Sequence, residues 1–85
     1  MFYVYAIQSL IKKSWLYIGY SDDLKKRITA HDLGKVTSTK GYRPFRLVYY
    51  EAYTNELVAR RREYELKHNN QQKEILKARL GESLA

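Results

Sequence analysis

Several residues of this sequence place polar chemistry where a small protein normally keeps its core. In the segment SDDLKKRITAH, Leu24, Arg27, Ile28 and His31 recur at i, i+3, i+4 and i+7, so a helix would line all four along one side. Arg27, at the edge of that stripe, can lay its stem on a neighbouring element and keep its head in water. His31 suits a core or an exposed position equally. In WLYIGY, Trp15, Tyr17 and Gly19 share one strand face, opposite Leu16, Ile18 and Tyr20. The missing side chain at Gly19 leaves room beside Tyr17 for a ligand or for the following helix. A bend or bulge, with Tyr17 as a cross-strand partner of Tyr5, is the structural alternative. Glu63 follows Arg60, Arg61 and Arg62. It either balances such cations through i±3 and i±4 pairs or turns with Ala59 toward the sheet. There a carboxylate can hold a divalent cation, provided that phosphate oxygens and waters complete the shell.

The cations are spread along the chain rather than gathered in a tail. They fall at Lys25 to Arg27, at Lys35, Lys40, Arg43 and Arg46, at Arg60 to Arg62, and at Lys73, Lys77 and Arg79. Sixteen Lys and Arg against nine Asp and Glu leave a formal charge of +7, which suits a polyanionic partner such as a nucleic acid. Tyr42, Tyr49, Tyr50 and Tyr53 can stack on bases, although so small a protein must also draw its core from them. With no cysteine, thiolate catalysis, disulfides and Cys-ligated zinc are excluded. Nothing resembles a phosphate-cradling glycine loop, a zinc finger or a metal-binding His pair. The 85 residues are expected to form one domain, and 45% hydrophobic content with 14% aromatics argues against disorder. No apolar run reaches membrane-spanning length, and the stretch from Met1 to Ile11 lacks the basic start of a signal peptide, so a cytoplasmic protein is expected.

Short elements must position these residues. Residues 2–7 (FYVYAI) and 15–20 (WLYIGY) read as half-buried strands joined by the polar loop QSLIKKS. Alternation puts Tyr3, Tyr5 and Ile7 on one face of the first. Ser21, followed by Asp22 and Asp23, marks a helix start, and Gly34 its end. A loop to Pro44 precedes a third strand at 45–53. Thr54 or Asn55 caps a second helix to about Lys67, Asn69 and Asn70 break it, and a third helix runs from about Gln71 to Leu80. The order β-β-α-β-α-α describes a small α/β domain, with the strand pairing left open.

Together these positions resemble the GIY-YIG nuclease family, and especially its small single-domain bacterial members, from about Phe2 to Leu80. The first motif stands here as Tyr3-Val4-Tyr5 and the second as Tyr17-Ile18-Gly19. SDDLKKRITAH carries the family's arginine at Arg27 and its frequent histidine at His31. RPFRLVYYE matches the third-strand region, and AYTNELVARRREYELK places the metal-binding glutamate at Glu63. Tyr3 replaces the glycine of the first motif. The terminal asparagine of larger members has only Asn69 and Asn70 as neighbours, and no extra DNA-reading domain accompanies the core. The resemblance implies a three-stranded antiparallel sheet flanked by helices, of α+β type. It further implies a DNA endonuclease, with RNA not excluded, using Mg²⁺ or Mn²⁺ held by Glu63. Arg27 would pair with phosphate, Tyr5 would contact or activate the attacking water, and Tyr17 would orient it. His31 would carry a proton or bond Tyr17, and the products would be a 5′-phosphate and a 3′-hydroxyl. Arg27 and the metal would favour the Tyr5 phenolate. Lys26, Lys35, Lys40 and Arg43 would meet phosphates. Specificity would follow substrate structure, damage or a protein partner. A noncatalytic nucleic-acid-binding or partner-binding module is the alternative.

Overall fold

Alternation along β1 (Phe2–Ser9) sends Val4 and Ala6 to one side and Tyr5 and Ile7 to the other, and all four are buried. A strand covered on both faces belongs at the centre of its sheet. The computed structural model, which describes residues 1–81, places it there. β2 (Leu16–Ser21) and β3 (Phe45–Tyr53) flank it in the order β2-β1-β3, both antiparallel to it. Tyr5 stands opposite Gly19 in β2 and Tyr50 in β3. The β1–β3 register shifts by one between Ala6 and Ile7, which face Tyr49 and Leu47 and leave Val48 as the extra residue.

Two apolar clusters follow from the two faces. On one, Val4, Ala6 and Ile18 pack with Ala59 and Leu66 of α2 (Glu56–His68) and with Leu76 and Leu80 of α3 (Asn70–Leu80). On the other, Tyr5, Ile7 and Phe45 are joined by Leu24 and Ile28 of α1 (Leu24–Asp32), by Trp15 and Tyr17, and by Tyr42 of a short 3₁₀ turn at Lys40–Tyr42. The chemistry collects under α1. Among the described residues, no helix is long and apolar enough to cross a membrane.

The helix boundaries fall close to those expected, with different caps. Asp23, not Ser21, caps α1, accepting from the Lys26 amide at 3.1 Å. Ser21 ends β2 and spends its hydroxyl on the turn, accepting from the Asp23 amide and donating to the Asp23 carbonyl. Asn55 caps α2, accepting from the Val58 amide at 3.2 Å. The break between α2 and α3 lies at Asn69 alone, whose side chain accepts from the Gln72 amide. Asn70 already belongs to α3.

Arg62 is the partly buried member of the Arg60–Arg62 run. Its Nε and Nη2 donate to the Glu51 carboxylate at 2.9 and 3.1 Å, and its Nη1 donates to Gln72 Oε1 at 3.1 Å. The Tyr49 and Tyr53 hydroxyls donate to the same carboxylate. Burial opposes the charge on Glu51, but these donors outweigh it and hold its carboxyl below the usual range. The group ties β3 to α2 and α3.

Candidate functional site

Tyr5 is 1% exposed, and its ring reaches across to the neighbouring strand. A β-carbon on Gly19 would stand 2.3 Å from both its Cζ and its hydroxyl oxygen. The space left by Gly19 is therefore filled by Tyr5, and only glycine permits the approach. Tyr17 pairs across the sheet with Ile7 rather than with Tyr5.

Under α1 the Tyr5 hydroxyl lies 2.7 Å from His31 Nε2, and His31 Nδ1 lies 2.8 Å from Thr39 Oγ1. His31 and Thr39 are fully buried. The His31 ring also meets Tyr17 edge-on, with centroids 5.3 Å apart, so Tyr17 contacts the imidazole through its ring while Tyr5 takes the hydrogen bond. Burial, followed by the charge of Arg27, pushes the His31 pKa down to about 4, with Asp32 partly opposing. His31 is thus a neutral imidazole near pH 7.

Arg27 completes this corner. Its guanidinium counts among the influences that favour the Tyr5 phenolate. Burial nevertheless dominates, with Tyr17 and Glu63 adding to it, and pushes the Tyr5 pKa up to about 12. Arg27 thus acts on Tyr5 in the direction expected of it, while desolvation exceeds its attraction and sets the net shift upward. Arg27 Nε is buried and has no hydrogen-bond partner. An orphaned donor on a guanidinium is costly unless an anion satisfies it.

Glu63 approaches from α2, which packs on β1 and on the edge strand β2. Its carboxylate pairs with Lys67 one turn on, at 3.0 Å, rather than with the preceding arginines. Arg60 instead meets Glu56 at 3.4 Å. The Lys67 ammonium stands 5.4 Å above the Tyr17 ring, which brings Glu63 to the Tyr17 side of the corner. Among the described residues, no three His, Cys, Asp or Glu side chains gather around one point. Glu63 would thus offer a single carboxylate. That would suit Mg²⁺ or Mn²⁺ only if a phosphate and waters provided the rest.

Cationic surface flanks the corner on two sides. Lys26 and Lys35 share a shallow depression on the outer face of α1. Lys40 is exposed on the 3₁₀ turn, next to Thr39. Arg43 lies over Gly34, whose φ of 75° needs glycine and whose β-carbon would meet the Arg43 guanidinium. Beyond Tyr17, Lys67, Lys73 and Lys77 border a groove of about 350 Å³ with Trp15 and Leu76. A larger depression of about 610 Å³ between α1 and β3 is lined by none of Tyr5, Tyr17, Arg27, His31 and Glu63.

Sequence reasoning missed two residues here. Lys67 carried a usable signal, since a cation four residues after Glu63 is its natural pair. Thr39 carried none, because a threonine in a polar loop looks like any other.

The GIY-YIG catalytic domain matches residues 1–75 of the chain. A UPF0213 protein of Staphylococcus saprophyticus is 39% identical over 74 residues, covering 86% of this chain and 88% of that protein. One of Clostridium perfringens is 41% identical over 68 residues, covering 79% and 71%. The solution NMR structure of a UPF0213 protein from Bacillus halodurans superposes with a TM-score of 0.56 at 34% identity, over 95% of this chain and 88% of that one.

Proposed function

Because the chain belongs to the GIY-YIG family, we propose that it hydrolyses phosphodiester bonds of DNA, or of RNA, with one Mg²⁺ or Mn²⁺ ion at Glu63. The observation that carries the reading is the half-buried Arg27 guanidinium set beside the bonded Tyr5–His31 pair. A guanidinium offers the forked donors that a phosphate takes.

Hydrolysis needs an attacking water that loses a proton, and donors where charge gathers on the phosphoryl oxygens. Arg27 supplies the donors. Tyr5 at a pKa of about 12 holds almost no phenolate near pH 7, so it serves as a relay rather than as a preformed base. Its oxygen accepts the water proton while its own proton passes to His31 Nε2, 2.7 Å away. Burial and the Arg27 charge both weaken His31 as an acceptor, and a phosphate on Arg27 removes the second of these. Tyr17, against the His31 ring and below Lys67, would orient the water or the phosphate. When bound, the ion would polarise a phosphoryl oxygen and stabilise the leaving alkoxide.

Lys26, Lys35, Lys40 and Arg43 on one side, and the lysine-lined groove on the other, offer contacts to backbone phosphates. Recognition through phosphates favours substrate structure, damage or a protein partner as the source of specificity. The test is Mg²⁺- or Mn²⁺-dependent nicking of a panel of duplex, flapped, branched and single-stranded substrates by wild type and Glu63→Gln. Loss of nicking in a folded Glu63→Gln protein is expected, and undiminished nicking refutes the role of Glu63.

A specific observation supports a second reading. Glu63 is engaged by Lys67 and belongs to no group of three or more His, Cys, Asp or Glu side chains among the described residues. A noncatalytic nucleic-acid-binding or partner-binding module would look the same. It predicts binding by wild type and Glu63→Gln alike, with no cleavage by either.

A further inference from the structure

The Tyr5–His31 contact joins two groups that can each donate or accept, and the direction of its proton decides whether a relay can run. Each hydrogen around it can be assigned by elimination. The Arg27 guanidinium beside Tyr5 can only donate. The Tyr5 proton, on a residue 1% exposed, therefore needs an acceptor, and His31 Nε2 at 2.7 Å is the one within bonding distance. A neutral imidazole with a bare Nε2 carries its hydrogen on Nδ1, which faces Thr39 Oγ1 at 2.8 Å. Thr39 can accept that bond because its own hydroxyl hydrogen turns to the Val36 carbonyl at 3.3 Å. Every donor in the chain Tyr5, His31, Thr39 then has an acceptor. The opposite arrangement leaves the buried Tyr5 hydrogen with none.

We propose that Thr39 is a positioning residue whose hydroxyl oxygen, by accepting from His31 Nδ1–H, holds the imidazole in the tautomer whose bare Nε2 faces Tyr5. Its consequence for hydrolysis rests on the reading given above, while its effect on the tautomer stands on the hydrogen bonds alone. Thr39 never meets the substrate in this scheme. It lies on the segment after α1, between exposed Lys35 and Lys40, so a loop offering cations on its outside sets the proton pattern on its inside.

Imidazole nitrogen NMR on isotope-labelled protein tests this directly, since bare and protonated ring nitrogens differ widely in shift. Wild type near pH 7 should show His31 with a protonated Nδ1 and a bare Nε2. Thr39→Val keeps the shape but lacks the acceptor, so the bare Nε2 is then favoured by Tyr5 alone and the share of the Nδ1–H tautomer should fall measurably in favour of Nε2–H. Thr39→Ser should restore the wild-type pattern. Under the hydrolytic reading, Thr39→Val should also lower cleavage by roughly 10- to 100-fold at unchanged substrate affinity, with Thr39→Ser restoring it. A wild-type protein with Nε2–H, or a Thr39→Val protein whose tautomer share equals that of wild type, overturns the proposal whatever the activity. If Thr39→Val does not fold, the wild-type and Thr39→Ser spectra still decide. If wild type cleaves nothing, the hydrolytic reading fails, and the tautomer spectra alone uphold or overturn the role of Thr39.

Discussion

Alanine at position 19 would put a methyl group where the Tyr5 ring already stands. Its β-carbon would lie 2.3 Å from Cζ and from the hydroxyl oxygen, against ordinary contacts of 3.4–4 Å, so the ring must retreat by about 1 Å. Overpacking of this kind costs about 1–3 kcal/mol. The retreat also breaks the 2.7 Å bond to His31, because a hydrogen bond does not survive an added ångström. A buried phenol and a fully buried imidazole then lose a partner, at a further cost of about 1–3 kcal/mol. Gly19→Ala should therefore destabilise the fold by about 2–6 kcal/mol in urea unfolding. The cause can be isolated with a double-mutant cycle. In a Tyr5→Ala background the methyl enters vacated space, and the same substitution should cost less than about 1 kcal/mol. Equal losses in both backgrounds would refute the contact as the origin. An unchanged wild-type midpoint would refute the close approach itself.

The buried His31 makes stability depend on pH. Unfolded, it takes a proton near pH 6.5, whereas folded it resists to about pH 4, so stability is lost as pH falls between those values, by up to about 3 kcal/mol. His31→Gln should flatten that slope in unfolding titrations, and an unaltered slope would reject the assignment. Glu51, held below its usual range by Arg62, Tyr49 and Tyr53, contributes stability above the unfolded carboxylate value that is lost as pH falls through its lower folded value. Glu51→Gln should cost about 1–3 kcal/mol at pH 7 and remove this more acidic part of the slope, which calorimetry at several pH values would show. Glu63→Gln, whose Lys67 pair is partly exposed, should change stability by no more than about 1 kcal/mol, and a larger thermal shift would contradict a surface pair. Charge reversal at Lys35, Lys40 and Arg43 should weaken nucleic-acid binding alike across sequences. It should also flatten the dependence on salt in fluorescence anisotropy, and a sequence-selective loss would contradict backbone recognition.

The order of elements could be read from local chemistry. Alternation in FYVYAI and WLYIGY, the acids and asparagines at helix starts, and Gly34 at a helix end are signals carried by neighbouring residues. The same locality made Arg27 and His31 legible, since four residues at helical spacing share a side wherever the helix docks. What the sequence left open depends on contacts between distant segments. Nothing near residues 2–9 states that β1 lies between β2 and β3, because each strand could pair at either edge. Nothing near Arg62 reveals Glu51 eleven residues earlier, and nothing near Thr39 reveals His31. The Tyr5 pKa shows the division most sharply. A tyrosine expected near an arginine and a metal invites the inference of a lowered value. Only the packing of β1, β2 and α1 around the ring decides that desolvation wins, because burial is a property of the assembled core and charge alone is a property of the residue list.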